Sequence, residues 1–105
     1  MLGTGVALLD SGHRLVAEKT VTVGTLNLAL VHPRDVFRQA VAAGAAAVVL
    51  IHNHPSGDPS PSEEDIRLTR QLLKAGDDLQ IPVVDHIIVA GGRWYSFADS
   101  RRLEH

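Results

Sequence analysis

Six consecutive small or branched apolar residues, Ala46-Ala47-Val48-Val49-Leu50-Ile51, run directly into a segment that cannot be regular structure. From His52 to Pro61 the chain carries three prolines and a glycine, and proline offers no amide to a helix or a sheet ladder. A short apolar run without polar alternation predicts a central strand covered on both faces. The Pro/Gly segment is then a loop that starts at the end of that strand. Immediately after it, Ser62-Glu63-Glu64-Asp65 opens a helix, with a hydroxyl at the N-cap and three acids on the positive end of the dipole. Ile66, Leu72 and Leu73 give this helix its core face, and Gly76 is its expected stop.

The flanking segments complete the sheet and add a second helix. Val6 to Leu9 and Arg14 to Val23 are apolar, β-branched runs separated by Asp10-Ser11-Gly12-His13, whose residue types favour a tight turn. Gly24-Thr25-Leu26-Asn27 interrupts the second run. Pro33 is placed to begin a helix, Asp35 adds negative charge to its first turn, and Val36, Phe37, Ala40 and Val41 recur as a buried face. Gly44 ends it. Val83 to Val89 predicts another strand, Gly91-Gly92 a turn, and Arg93 to Phe97 a closing strand whose Trp94, Tyr95 and Phe97 complete the core. Two strands, helix, strand, helix, two strands make an α/β fold of the α+β sandwich kind, a mixed sheet flanked by helices.

Composition narrows what such a domain does. With 105 residues there is room for one domain. At 45% hydrophobic and 21% charged, the chain is an ordinary globular one. A net charge of -2 argues against a nucleic-acid grip carried by bulk charge, and no Lys/Arg cluster exceeds Arg101-Arg102. With no cysteine, thiol catalysis, disulfides and Cys-ligated zinc are excluded. The longest apolar stretch, Ala40 to Ile51, is too short to span a bilayer. A soluble cytoplasmic domain is expected, excised from a longer chain because a strand begins almost at the first residue. Leu103-Glu104-His105 reads as a tag remnant, leaving 1–102 as the domain.

The chemistry concentrates on the Pro/Gly loop. His52 and His54, two apart just past a strand end, can turn toward one point where the backbone leaves extended geometry. Asp65 follows His54 by 11 residues, and a loop of that length can fold its carboxylate back to the imidazoles. Two neutral imidazoles and one carboxylate are a recurring ligand set for catalytic zinc, with one position open to water. Other divalent metals accept the same donors. Taken alone, His-x-His is a weak signal, and Ser62-x-x-Asp65 is most simply a helix cap. Both readings of Ser62 can hold together. His86, beside Asp85 in an apolar strand, is either a core histidine or a partner that orients a ligand. His32, before Pro33, either approaches the site or has a structural role at the helix start, and His13 fits a solvated position in the turn.

His-x-His, seven residues, then Ser-x-x-Asp resembles the metal signature of the JAMM (MPN+/JAB) metallohydrolases, at His52, His54, Ser62 and Asp65. The string His52-Asn53-His54-Pro55-Ser56-Gly57-Asp58-Pro59-Ser60-Pro61-Ser62 is similar to the bacterial RadC family in particular. So are Val31-His32-Pro33-Arg34-Asp35-Val36-Phe37 and Asp85-His86-Ile87-Ile88. The resemblance implies a JAB/MPN-like, cytidine deaminase-like architecture, with zinc held by His52, His54 and Asp65. It implies a zinc-bound water as nucleophile and Ser62 supporting an oxyanion. It also implies a glutamate upstream of the histidines as general base, and Glu18 is the only glutamate there. The expected reaction is cleavage of a peptide or isopeptide amide in a peptide or protein substrate. The alternative is a DNA-repair accessory domain acting through an absent N-terminal helix-hairpin-helix region. No direct nucleic-acid contact by these residues, and no membrane contact, is expected.

Overall fold

In a computed structural model, residues 3–23, 28 and 31–103 are described. Gly24 to Asn27, read above as an interruption, lie outside the described residues, as do Glu104 and His105. The elements run β1 (Gly3–Leu9), β2 (Leu15–Val23), α1 (Pro33–Ala42), β3 (Ala47–Asn53), α2 (Glu63–Leu79), β4 (Val83–Ala90) and β5 (Arg93–Ser96). The sheet order is β2-β1-β3-β4-β5. β3 and β4 are parallel, joined across α2, and every other pairing is antiparallel. Among the described residues the fold is α+β, a mixed five-stranded sheet with two helices.

Local chemistry explains the turns. Asp10 Oδ1 accepts from the amides of Gly12 and Arg14, closing the β1–β2 hairpin, and His13 takes the left-handed conformation at φ 62°. α1 begins at Pro33 and ends at Ala42, and Gly44 follows at φ 64° with its amide on Val41 O. Gly91 and Gly92 both have positive φ in the β4–β5 turn.

Which face of the sheet matters can be read from register. β1 pairs β3 without a break from Thr4↔His52 to Leu9↔Ala47, so residues two apart share a face. Val6, Leu8, Val48 and Leu50 join Val36, Phe37 and Ala40 of α1 and Leu68, Leu72 and Leu73 of α2 in one core cluster. Both helices therefore cover the same face of the sheet, and Thr4 and His52 belong to it. Asn53, Ile51, Val49 and Ala7 belong to the other.

Several expectations are corrected here. β3 is not covered equally on both faces, since Val48 and Leu50 are buried while Val49 and Ile51 are half-buried. It also runs on through Asn53, so His52 is a strand residue and not a loop residue. Val41 is 62% exposed and Trp94 is 70% exposed, leaving Phe97 as the aromatic that closes the core. Gly76 does not stop α2. It is buried inside the helix against Phe37 and Ile81, and the helix ends at Leu79 with Gln80 left-handed at φ 58°. Ile66 is half-buried, the buried face being Asp65, Leu68, Thr69, Leu72, Leu73 and Gly76. Leu103, read as tag, packs against the core.

Candidate metal centre

Alternation along β3 aims His52 toward α2, where it is 3% exposed at the end of the core. Its Nδ1 lies 3.1 Å from Thr4 Oγ1 on the neighbouring strand. One residue past β3, the His54 amide donates to Val89 O, so the loop begins still attached to β4. His54 Nδ1 lies 3.0 Å from Asp58 O. A carbonyl only accepts, so Nδ1 donates to it and Nε2 is the nitrogen left to face the carboxylate. That nitrogen lies 2.9 Å from Asp65 Oδ2. Farther along, the loop is pinned at Gly57, whose carbonyl accepts from Arg93 Nη2 at 3.1 Å.

Helix α2 delivers the carboxylate from beneath. Ser62 is its N-cap: the Asp65 amide donates to Ser62 Oγ at 3.1 Å, and Asp65 Oδ2 accepts from the Ser62 amide at 2.8 Å. This capping box is driven by unsatisfied first-turn amides, and it fixes Asp65 at full burial. The Ser62 hydroxyl donates to Asp65 Oδ2 as well, at 2.8 Å. Its proton is directed at the carboxylate.

What is left over defines the site. Among the described residues Asp65 Oδ1 is buried with no hydrogen-bond partner, and His52 Nε2 and His86 Nε2 each lie 3.9 Å from it. Ligand atoms of His52, His54 and Asp65 all fall within 4.8 Å of one another. A buried, partnerless carboxylate oxygen is unfavourable by itself. Facing two imidazoles tied through Nδ1, it has the second-sphere arrangement usual for metal-binding histidines. The residues therefore fit a metal ion. Burial, the largest influence, pulls the His52 pKa below the ordinary value, against the opposing pull of Asp65, and so favours the neutral ring that can ligate.

Burial also lowers His86 to about 4, with Asp65 opposing. Unfolded histidine titrates near 6.5, so between those values the unfolded chain binds more protons. The stability tied to His86 is complete above about 6.5 and is lost as pH falls toward 4. In ion-free protein, the melting temperature should fall between pH 7 and pH 4.5 by several degrees more in wild type than in His86→Gln, measured calorimetrically. Equal losses would contradict this.

His52, His54, Ser62 and Asp65 thus come together, and Glu18 does not join them. Glu18 is paired with Ala7, on the sheet face away from the helices. It is exposed there, beside a separate hollow lined by Gly5, Ile51 and Asn53. The glutamates that share the histidine cleft, of about 430 Å³, are Glu63 and Glu64. Sequence reading also missed the hydroxyls of Thr4 and Thr69. Thr4 shares a strand face with Val6 and Leu8, and Thr69 follows Asp65 by one helical turn, so periodicity alone could have pointed to both.

Comparison with known proteins places this architecture. Residues 4–103 match the family described as "RadC-like JAB domain". A UPF0758 protein of Geotalea uraniireducens is 53% identical over 92 residues, covering 88% of this chain and 40% of that protein. UPF0758 protein GSU0386 of Geobacter sulfurreducens is 53% identical over 96 residues, covering 91% and 42%. One from Methanosarcina mazei is 47% identical over 91 residues, covering 87% and 40%. The chain spans about two-fifths of the length of these relatives. Among the described residues, no helix is long and apolar enough to cross a membrane.

Proposed function

Because the chain belongs to the RadC-like JAB domain family, we propose that His52, His54 and Asp65 hold a zinc ion and that the domain hydrolyses an amide bond in a peptide or protein. The observation that carries this reading is the pair of imidazoles, each tied through Nδ1, whose Nε2 atoms meet a buried carboxylate with one partnerless oxygen. When bound, zinc would supply a Lewis acid for a carbonyl and a water with a pKa of about 7. The chain's own residues do the rest. Ser62 holds Asp65 in place through its amide and its hydroxyl, and Pro55 and Leu28 line the cleft with apolar surface. For the proton on the attacking water, the carboxylates within the cleft are Glu63 and Glu64, and these replace Glu18 in the mechanism. A cytoplasmic setting belongs to the same reading.

A second reading is favoured by one observation, the position of Glu18 on the far face of the sheet. In it the domain holds its ion without turnover and serves DNA repair through the longer polypeptide that its relatives possess.

Elemental analysis of wild type and His54→Ala, followed by assay against peptide and isopeptide substrates, separates the two. About one zinc per chain with turnover, both lost in His54→Ala, is the expected result. Glu18→Gln should keep metal and rate, whereas removing Glu63 and Glu64 together should lower the rate about 100-fold or more at unchanged zinc content. Full zinc with no hydrolysis would favour the accessory reading. DNA contact by this domain should be absent in a mobility shift even at low salt.

A further inference from the structure

The loop that carries His54 is held from outside as well as from within. Inside it, the Gly57 amide donates to His54 O at 3.3 Å, the Asp58 amide to Ser56 Oγ at 3.3 Å, and the Ser60 amide to Asp58 Oδ1 at 2.9 Å. The outside hold comes from the β4–β5 hairpin. Val89 O, near the end of β4, accepts from the His54 amide at 3.0 Å, and Arg93 Nη2, at the start of β5, donates to Gly57 O at 3.1 Å. Gly91 lies in the turn between them. Its backbone approaches Gly57 so closely that a Cβ there would sit 2.8 Å from Gly57 O and 3.6 Å from Gly57 Cα.

Gly57 matters because of the residue that follows it. His54 Nδ1 lies 3.0 Å from Asp58 O, and that bond turns the ring so that Nε2 faces Asp65 Oδ2 at 2.9 Å. Outer partners of this kind orient a ligating imidazole. Here the partner is a backbone carbonyl, so it goes wherever the chain at 57 and 58 goes. The bonds of Ser56, Asp58 and Ser60 described above stay within the loop and fix its shape. The contacts of Val89, Gly91 and Arg93 fix its place against the sheet.

We infer that Gly91 and Arg93 are positioning residues of the ion site: the β4–β5 turn seats Gly57, which places Asp58 O, which aims His54 Nε2. This rests on the ion-site reading above. Gly91 acts by lacking a Cβ, because the atom that a Cβ would meet is a backbone oxygen and cannot rotate aside as a side chain would. Arg93 acts as a donor, and its side chain is exposed, so its effect lies in where it holds Gly57. The turn also supplies its own control. Gly91 and Gly92 are both left-handed, at φ 57° and 73°, so alanine meets the same kind of backbone penalty at either. Among the described residues, a Cβ on Gly92 meets nothing within 4 Å. Loss of ion binding through a strained turn is therefore common to both variants, and loss through a displaced Gly57 belongs to Gly91→Ala alone.

The test measures zinc affinity by chelator competition in wild type, Gly91→Ala, Gly92→Ala, Arg93→Ala and Arg93→Lys. Nitrogen-15 NMR of the His54 ring and melting curves are recorded on the ion-free proteins. Gly91→Ala should bind zinc about 10-fold or more weakly than Gly92→Ala. Arg93→Ala should lose about 10-fold with little change in its ion-free melting temperature, and Arg93→Lys, which keeps a donor, should recover most of the loss. The His54 Nδ1 resonance should move in Gly91→Ala and Arg93→Ala and stay in place in Gly92→Ala. Equal affinities in Gly91→Ala and Gly92→Ala, or wild-type affinity in Arg93→Ala, overturns the inference. If wild type binds no zinc, the ion-site reading is overturned, and a His54 resonance unmoved in Gly91→Ala overturns the positioning role as well. If Gly91→Ala fails to fold, Arg93→Ala decides by the same two measurements, with wild-type values overturning the inference.

Discussion

Saturating zinc should raise the melting temperature of the ion-free domain by about 15 °C or more, and His54→Ala should abolish the rise. A ligand that binds only the folded state stabilises it by about 4 kcal/mol when present at a thousand times its dissociation constant. For a domain of this size each kcal/mol moves the midpoint by roughly 4–8 °C. Local structure favours the upper part of that range. The ion-free site contains a buried carboxylate oxygen with no partner, and a cation there removes an unfavourable interaction as it makes favourable ones. His54→Ala deletes a loop side chain that lies outside the apolar core cluster, so the variant should fold and serve as a clean comparison. Scanning calorimetry with and without zinc, and again after chelation, gives the answer. A midpoint that zinc leaves unchanged in wild type would overturn the ion-site reading.

Why some of this was legible from sequence and some was not follows from the range of the forces involved. Asp10, Pro33 and Ser62 act on backbone groups within a few residues, so hairpin, first helix and second helix start where their local chemistry says. The His52, His54 and Asp65 cluster was legible for the same reason, because a single loop and a cap bring the three together. Side-chain facing across the sheet was not. Glu18 reads as a strand residue in either orientation, and only pairing with Ala7, whose other neighbour is Val49, puts it on the face away from the helices. A one-residue change of register would have reversed that face. Val41 and Trp94 failed similarly, since apolar character says nothing about which neighbour arrives to cover it. The Thr69–His86–Asp65 contacts join residues 17 and more apart in sequence through a helix packed on a strand. Nothing local encodes that meeting.

Gly76 is where local and tertiary demands conflict most directly, and Gly76→Ala should destabilise the domain by about 2 kcal/mol or more. Propensity argues the other way, because alanine is favoured over glycine by about 1 kcal/mol inside a helix. Here the added Cβ would sit 2.6 Å from the carbonyl oxygen of Ile81 and 3.3 Å from Phe37 Cζ. The ring of Phe37 could give by a few tenths of an ångström, but the Ile81 backbone cannot yield easily. Its amide donates to Gly76 O at 2.9 Å, and the next residue is Pro82, whose carbonyl accepts from the Val48 amide of β3. Displacing Ile81 therefore strains the entry to β4, the strand that carries His86. A fall in midpoint of roughly 10 °C or more is expected, with Lys74→Ala on the exposed side of the same helix changing it by under about 0.5 kcal/mol. Chemical denaturation of the two variants measures both. If Gly76→Ala proved as stable as wild type, the close approach of α2 to the β4 entry would be wrong. Zinc should recover part of the loss, because the ion joins the first turn of α2 to the end of β3, whereas the strain lies at the opposite end of that helix.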